Sequence, residues 1–435
     1  MANLSANSFE IQVFKDGVAQ MKALPSSDKR SWVHQASIHN DFCPHGNWWF
    51  LPWHRVYIQA FERIIRGLTG EPDWGLPYWN WQHVQSVPAI FTDSTSPLFD
   101  ATRSSNNLNS TTFGAANVEA KMSESDFELF AGSAPNNLAP FNIRDAGTKG
   151  VLEQQLHDIV HGTVGGPSGH MRYTSTAALD PVFWSHHCMV DYQWHQWNDN
   201  RANSNISNSD WITMPIDGMF VDPDGNDING TIEDVIPLPL YAYQYEPDTI
   251  GTVFGIRGTQ RSGQLERLMV QGGPAKFREL DSTRIARDLV VGPDTPSTFS
   301  LDIPAAAFSA AMAPLQEGRI FLRLIDPKAP QVSDYFVRVF LGNPNANVDT
   351  PIDDASYAGS FGFFTAKDGK HHSGAYQVEI SNALRSAGRV RGVSERVQLT
   401  FVPIPNGPAS QTESDPLQLG SIDLILGSMA PLERS

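Results

Sequence analysis

The sequence predicts a multidomain chain: a mainly α-helical first part followed by an all-β second part, a sandwich. Three observations predict it. Helical periodicity is concentrated in the first half. From about residue 252 the segments are short, β-branched or aromatic, and bounded by Gly, Pro, Asn and Asp. Of the 13 histidines, 11 lie before residue 205, together with most of the tryptophans. The division is placed at 1–250 and 251–435.

In PWHRVYIQAFERIIRGLTG, Ile58, Phe61, Ile65 and Leu68 recur at three- or four-residue steps, with Gly67 and Gly70 near the end. KGVLEQQLHDIVHG carries Leu152, Leu156 and Ile159/Val160 on one stripe, and HHCMVDYQWHQWNDNR carries Val190, Trp194 and Trp197 on another. Residues 87–118 read as loop. RIFLRLID, YFVRVFLG, GAYQVEIS and RVQLTFVPI read as strands. His371 and His372 sit in a Lys/Gly-rich stretch that reads as an exposed turn, and DPDGND at 222–227 reads as a turn rather than a calcium loop.

Composition narrows the function classes. Lys+Arg is 31 and Asp+Glu is 47, a net charge of −16. Such a surface repels a phosphate backbone, so no nucleic-acid partner is expected. A chain 40% hydrophobic and 18% charged is globular rather than disordered. Cys43 and Cys188 are too few for a disulfide scaffold and fit a reducing compartment. The start MANLSANSFEIQVFKDGVAQ has no apolar signal core, and no run of 18 apolar residues exists. The expectation is a chain with no signal peptide, no membrane span and a cytoplasmic location.

The histidines have ligand spacing. His39, Cys43-Pro44-His45 and His54 form one cluster; His157, His161, His186 and His187 form another. His157 and His161 are four apart on a predicted helix, so both rings leave one face. Imidazole suits Cu, Zn, Fe and Ni, and no carboxylate stands at an obvious ligand position in either set. Two three-imidazole sets suggest two metals with open positions, a pairing suited to redox chemistry with O2. A lone buried histidine is ordinarily a hydrogen-bonded core residue; two separate clusters make that reading insufficient. HDIVH also brushes against the HExxH zinc-hydrolase pattern, with Asp in place of Glu.

HGNWWFLPWHRVYIQAFE, with Arg55 and Glu62, and DPVFWSHHCMVD, with Asp191, resemble the two copper signatures of the type 3 copper proteins, the tyrosinase, catechol oxidase and hemocyanin family. GLPYWNW at 75–81 is similar to a further segment of that family. The resemblance implies a four-helix bundle holding a dicopper centre. It implies His39, His45 and His54 on one copper and His157, His161 and His187 on the other, with His186 structural and His34 the alternative to His39. It implies two copper ions as cofactor, O2 as co-substrate and a phenolic small molecule as substrate, oxidised from o-diphenol to o-quinone.

Further residues take roles from the same resemblance. Cys43 is placed for a thioether to His45, or remains a free thiol. Glu153 stands where plant-type members hold a water that deprotonates a monophenol. Asp158 replaces the usual Asn after the first histidine of the second set, which makes monophenol hydroxylation less expected than catechol oxidation. Tyr192 stands where Arg is usual. Met171 falls in the loop bordering the pocket. YAYQYE, with Tyr243 and Tyr245, together with YFVRVFLGNP, SYAGSFGFF and VQLTFVPI, resembles the end of the catalytic domain and the C-terminal domain of plant polyphenol oxidases. In that family the domain covers the pocket and keeps the enzyme latent. Phe361, Phe363 and Phe364 are the candidates for a blocking side chain. The alternatives are a hemocyanin-like oxygen carrier and an o-aminophenol oxidase.

Overall fold

The computed structural model describes residues 5–138, 141–199, 201, 203–234, 244–245, 254–255, 257–258, 276–313, 318–365, 374–387, 394–407 and 414–430. Tyr243, His371 and His372 lie outside the described residues, as does the chain around the expected division at 250.

Helix α1 (Phe9–Ala23) turns Ile11, Phe14, Val18 and Met21 inward, the spacing of an amphipathic helix. Helix α2 (Trp32–Phe42) begins at Ser31, whose hydroxyl accepts the His34 N–H, an N-cap. Helix α3 (Phe50–Thr69) stops at Gly70, φ +76°, where glycine takes the left-handed conformation without strain. Phe50 to Glu62 are buried on every face of α3, so this helix runs through the middle of the helical part. Its buried charges are paired. Arg55 meets Asp191 at 2.6 Å and stacks on Trp194; Glu62 meets Arg66 at 2.7 Å and accepts the Leu76 N–H. The stretch 151–165 is not one regular helix. Glu153–His157 forms a π turn, with the Asp158 N–H donating to Glu153 O, and α4 (Asp158–Gly165) follows. Helix α5 (Val182–Asp199) completes the group. Tyr192 on α5 stacks on Tyr78 of the PYWNW segment at 4.7 Å, which gives the departure from Arg at that position an apolar job.

Among the described residues from 276 onward there are eight strands: β1 (Lys276–Val291), β2 (Ser297–Pro304), β3 (Arg319–Lys328), β4 (Tyr335–Leu341), β5 (Tyr357–Phe361), β6 (Tyr376–Glu379), β7 (Ser394–Pro405) and β8 (Leu417–Ala430). They form two antiparallel four-stranded sheets, in the orders β5-β4-β7-β2 and β6-β3-β8-β1. The expectation of an all-β part needs correcting to β-rich. Helices α6 (Ala305–Met312) and α7 (Ser381–Ala387) interrupt the strands. AAAFSAAM in α6 is dominated by the strongest helix former and buries Ala307, Phe308 and Ala311. Phe254–Gly255 pairs back onto Tyr78–Trp79 of the helical part.

Strand β4 is buried along its whole length because its two faces serve two cores. Tyr335, Val337, Val339 and Leu341 join the apolar cluster shared by the two sheets. Phe336 and Phe340 join that of the helical part, the two-residue alternation of a strand.

Backbone contacts seat the second part. Lys149 N–H donates to Ala375 O and Ala375 N–H to Gly147 O. The Gln154 amide exchanges two hydrogen bonds with the Gln377 backbone. Gly362 N–H donates to Gln154 O and Thr174 N–H to Thr365 O. The segment 361–365 is thereby strapped across the end of the helices.

Candidate metal centre

Helices α2, α3, α4 and α5, with the loop after α2 and the π turn before α4, bring the predicted histidines together. His39 comes from the last turn of α2, His45 from the loop after it and His54 from the first turns of α3. His157 ends the π turn, His161 lies one turn into α4 and His187 sits on α5. Facing nitrogens are close: His39 Nε2 to His45 Nε2 is 3.4 Å and His161 Nε2 to His187 Nε2 is 3.3 Å. Among the described residues, the groups able to share one ion are His39–Cys43–His45, His39–His54–His187 and His157–His161–His186–His187. His187 faces both halves, its ring stacked on His54 at 4.4 Å. His34 lies outside these groups, at the start of α2.

In five of the six rings the opposite nitrogen is anchored; His187 Nδ1 is the exception. Nδ1 of His39 donates to Thr174 O, of His54 to Phe50 O and of His161 to Met171 O, each at 2.7 Å. His45 Nδ1 lies 3.3 Å from Glu153 Oε1 and His157 Nδ1 lies 2.9 Å from Asp158 Oδ1. An acceptor at Nδ1 fixes the tautomer with its proton there and leaves the Nε2 lone pair for a metal. His54 Nε2 and His157 Nε2 are buried with no hydrogen-bond partner, a state that costs free energy unless something fills it. Burial pushes the imidazoles of His45, His54, His157, His161 and His187 well below the ordinary range, and their neighbouring rings push the same way. Neutral imidazole is the ligating form. The donor set therefore fits two nitrogen-ligated ions, and copper is among the metals that prefer it.

His186 is also buried and held by burial at about 3. Its ring stacks on His157 at 5.3 Å, so it stands close enough to belong to the second group by distance. Cys43 is a buried free thiol, and burial pushes its pKa up. Met171 serves through its backbone carbonyl, while its side chain is buried.

The three phenylalanines separate. Phe361 packs on Tyr376 and Phe401, and Phe363 on Tyr335, inside the β-rich part. Phe364 points the other way. Its ring stacks on His161 at 3.8 Å and 25°, with His45 at 5.0 Å and His157 at 5.4 Å. Phe50 and Phe183 wall the cluster at 4.8 Å from His157 and 4.2 Å from His187. Clefts of about 1160 and 1100 Å³ between the two parts are lined by none of the six histidines. Of the three phenylalanines, Phe364 is the one whose ring meets these histidines.

Two carboxylates sit behind the rings. Glu153 accepts the Gly46 N–H at 2.9 Å and stands 3.4 Å from Lys149 Nζ. Asp158 accepts Lys149 Nζ at 2.5 Å. Burial raises both carboxyls and opposes charge on Lys149. For Lys149 the two carboxylates outweigh burial and hold the ammonium protonated, above its usual range. The sequence reading did not single out Lys149. Its one signal is the Lys–Glu pair four residues apart in an apolar stretch. Arg172 was also missed: its guanidinium donates to Phe363 O at 2.5 Å and Pro330 O at 2.8 Å. Tyr245 OH donates to Asp191 Oδ2 at 2.6 Å and so closes the helical part.

Residues 19–129 and 92–200 match the family model described as the common central domain of tyrosinase. The chain is 28% identical over 282 residues to the latent polyphenol oxidase of Prunus armeniaca, covering 55% of this chain and 47% of that protein. The chain thus spans about half the length of the curated relatives it matches. Among solved structures, it superposes on a latent aurone synthase (polyphenol oxidase) with a TM-score of 0.69 at 20% identity, covering 99% and 89% of the two chains. It superposes on latent apple tyrosinase with a TM-score of 0.69 at 20% identity, covering 98% and 96%. At that identity these two likenesses establish the fold: a helical part followed by a β-rich part.

The expected cytoplasmic location is overturned. The relatives from Prunus armeniaca, Vitis vinifera, Vicia faba and Spinacia oleracea are named as chloroplastic proteins. No described helix is long and apolar enough to cross a membrane. Copper signatures, histidine geometry and sequence match converge on residues 19–200, which match the common central domain of tyrosinase, and the chain is similar to polyphenol oxidases and tyrosinases.

Proposed function

We propose that the chain oxidises o-diphenols to o-quinones with O2 at two copper ions. His39, His45 and His54 hold one ion, and His157, His161 and His187 hold the other. The observation that carries this reading is the anchoring of five of these rings through Nδ1 to carbonyl or carboxylate oxygens, which aims Nε2 inward. The copper pair, when bound, supplies O2 binding and two-electron transfer. The chain's own residues orient the ligands and exclude water, and Phe50 and Phe183 offer an apolar wall to an aromatic ring.

In this reading helices α2, α3, α4 and α5 form the four-helix bundle of a catalytic domain spanning 1–250. The two sheets form a sandwich domain spanning 251–435, which keeps the enzyme latent by inserting Phe364 where the substrate ring binds. Glu153 and Asp158 both hold histidines and share Lys149, so neither is free to take a phenol proton. That favours diphenol oxidation over monophenol hydroxylation. Cys43 lies in the same ion-sized group as His45, and a thioether between them would lock that ring.

The test is copper content and O2 uptake on the full chain, with a catechol and a monophenol. About two coppers per chain, with catechol turnover that rises when the β-rich part is proteolysed, supports the reading. Two coppers with reversible O2 uptake and no turnover in either form favours an oxygen carrier. No copper refutes it.

A further inference from the structure

We propose that Lys149 is a positioning residue for the metal centre: one buried ammonium holds, through two carboxylates, one histidine of each copper set. The inference rests on the copper reading above and adds a residue that the copper signatures do not contain.

The network is continuous. Lys149 Nζ lies 2.5 Å from Asp158 Oδ2 and 3.4 Å from Glu153 Oε1. Asp158 Oδ1 accepts His157 Nδ1–H at 2.9 Å. Glu153 Oε1 faces His45 Nδ1 at 3.3 Å, and both Glu153 oxygens accept the Gly46 N–H. The side chains of Lys149, Glu153 and Asp158 are fully buried. The other anchored rings, His39, His54 and His161, lean on backbone carbonyls, which cannot turn. His45 and His157 lean on carboxylates, which can. A carboxylate on a flexible stem fixes a ring only if something fixes the carboxylate. For Asp158 that is Lys149; for Glu153 it is Lys149 with the Gly46 N–H.

The geometry also ties the two copper sets together. His45 and His157 are nearly parallel, with ring centres 5.4 Å apart and 26° between planes. The π turn makes this possible, because it puts Glu153 and Asp158 at the two ends of one widened turn. The β-rich part seals the ammonium from water. Ala375 O accepts the Lys149 backbone N–H, and the Tyr376 ring lies 5.5 Å from Nζ.

The test uses the full, copper-loaded chain challenged with excess chelator, at a temperature where circular dichroism reports a folded protein. Lys149→Met should release both coppers about 10- to 100-fold faster than wild type, the roughly 10- to 100-fold affinity loss typical of residues that support metal ligands falling on the release rate. Asp158→Asn and Glu153→Gln should each speed one of the two release phases. A purely structural lysine would lower the melting temperature and leave release from the folded state unchanged. If Lys149→Met does not fold, the uncharged triple variant Lys149→Met/Glu153→Gln/Asp158→Asn takes its place, with the same accelerated release of both ions expected. Wild-type release from a folded Lys149→Met or triple variant overturns the inference alone. A wild-type chain that binds no copper overturns the copper reading, and this inference with it.

Discussion

Truncating Phe364 to alanine should turn the full chain into a better enzyme. The ring is 2% exposed and stacks on His161 at 3.8 Å, the place the proposed function gives to the substrate ring. Burying a phenylalanine side chain is worth about 1.5–3 kcal/mol, and an aromatic pair adds about 0.5–1.5 kcal/mol. Part of this is retained when the ring swings aside within an apolar wall, so about 1.5–3 kcal/mol opposes a substrate. That is a factor of about 10 to 100 in apparent affinity. KM for a catechol should fall by this factor in Phe364→Ala while kcat changes little, read by oxygen electrode on the copper-loaded chain. Phe363→Ala is the control. It empties the packing against Tyr335, should cost about 3–5 kcal/mol of stability, and should leave KM unchanged. An unchanged KM in Phe364→Ala, or an equal drop in both variants, refutes the plug.

Arg172→Met removes the donors to Phe363 O and Pro330 O. At about 1.5–3 kcal/mol for a charged hydrogen bond, it should loosen the strap and raise full-chain activity at low substrate, with copper content unchanged. Asp100 is held at about 2: burial works upward, and hydrogen bonds from His170 and Thr102 outweigh it. His170 is raised, chiefly by its hydrogen bond to Asp100. The lowered acid stabilises above its unfolded value of 3.8 and loses that as pH falls toward 2; the raised imidazole stabilises below 6.5 and loses that as pH rises past its folded value. The pair should contribute most between about pH 4 and 6.5. Asp100→Asn should therefore lower the melting temperature within that window, remove the pair's contribution to the fall on either side of it, and lower the His170 pKa read by NMR. Stripping copper should lower the melting temperature, since a ligand at 100 times its Kd stabilises by about 2.7 kcal/mol. His161→Ala should retain one copper of two by elemental analysis.

The gathering of the six histidines was legible because ligand spacing and two long signatures coincide. Their anchors were not, because Thr174 O, Phe50 O and Met171 O are backbone atoms that any residue would supply. The π turn was hidden for a related reason. His157 and His161 satisfy helical spacing, and the widened turn before them carries no sequence mark. The choice among Phe361, Phe363 and Phe364 was legible in principle. Alternation puts residues two apart on one face, so Phe361 and Phe363 share the sheet core and Phe364 faces away. The helices within the second part were missed because strand patterns on either side dominate the reading, although Ala305–Met312 has strong helical propensity.

Anchors for the rings and anchors for the segment carrying Phe364 interleave on four consecutive residues. Met171 O holds His161 and Thr174 O holds His39. Between them Arg172 grips Phe363 O, and Tyr173 OH donates to Gln331 O. Thr174 N–H takes Thr365 O. Glycines let the backbones approach closely: a Cβ on Gly362 would meet Ile159 N at 2.7 Å, and one on Gly374 would meet Gly46 Cα at 2.9 Å. The β-rich part therefore grips the same main chain that orients the ligands. Removing one ring at Phe364 opens the space and leaves segment 171–174 clamped. Removing the whole β-rich part also frees that segment and uncovers Lys149, so pocket access and ligand geometry change together. In the proposed function, latency is a property of shared backbone as much as of a plug.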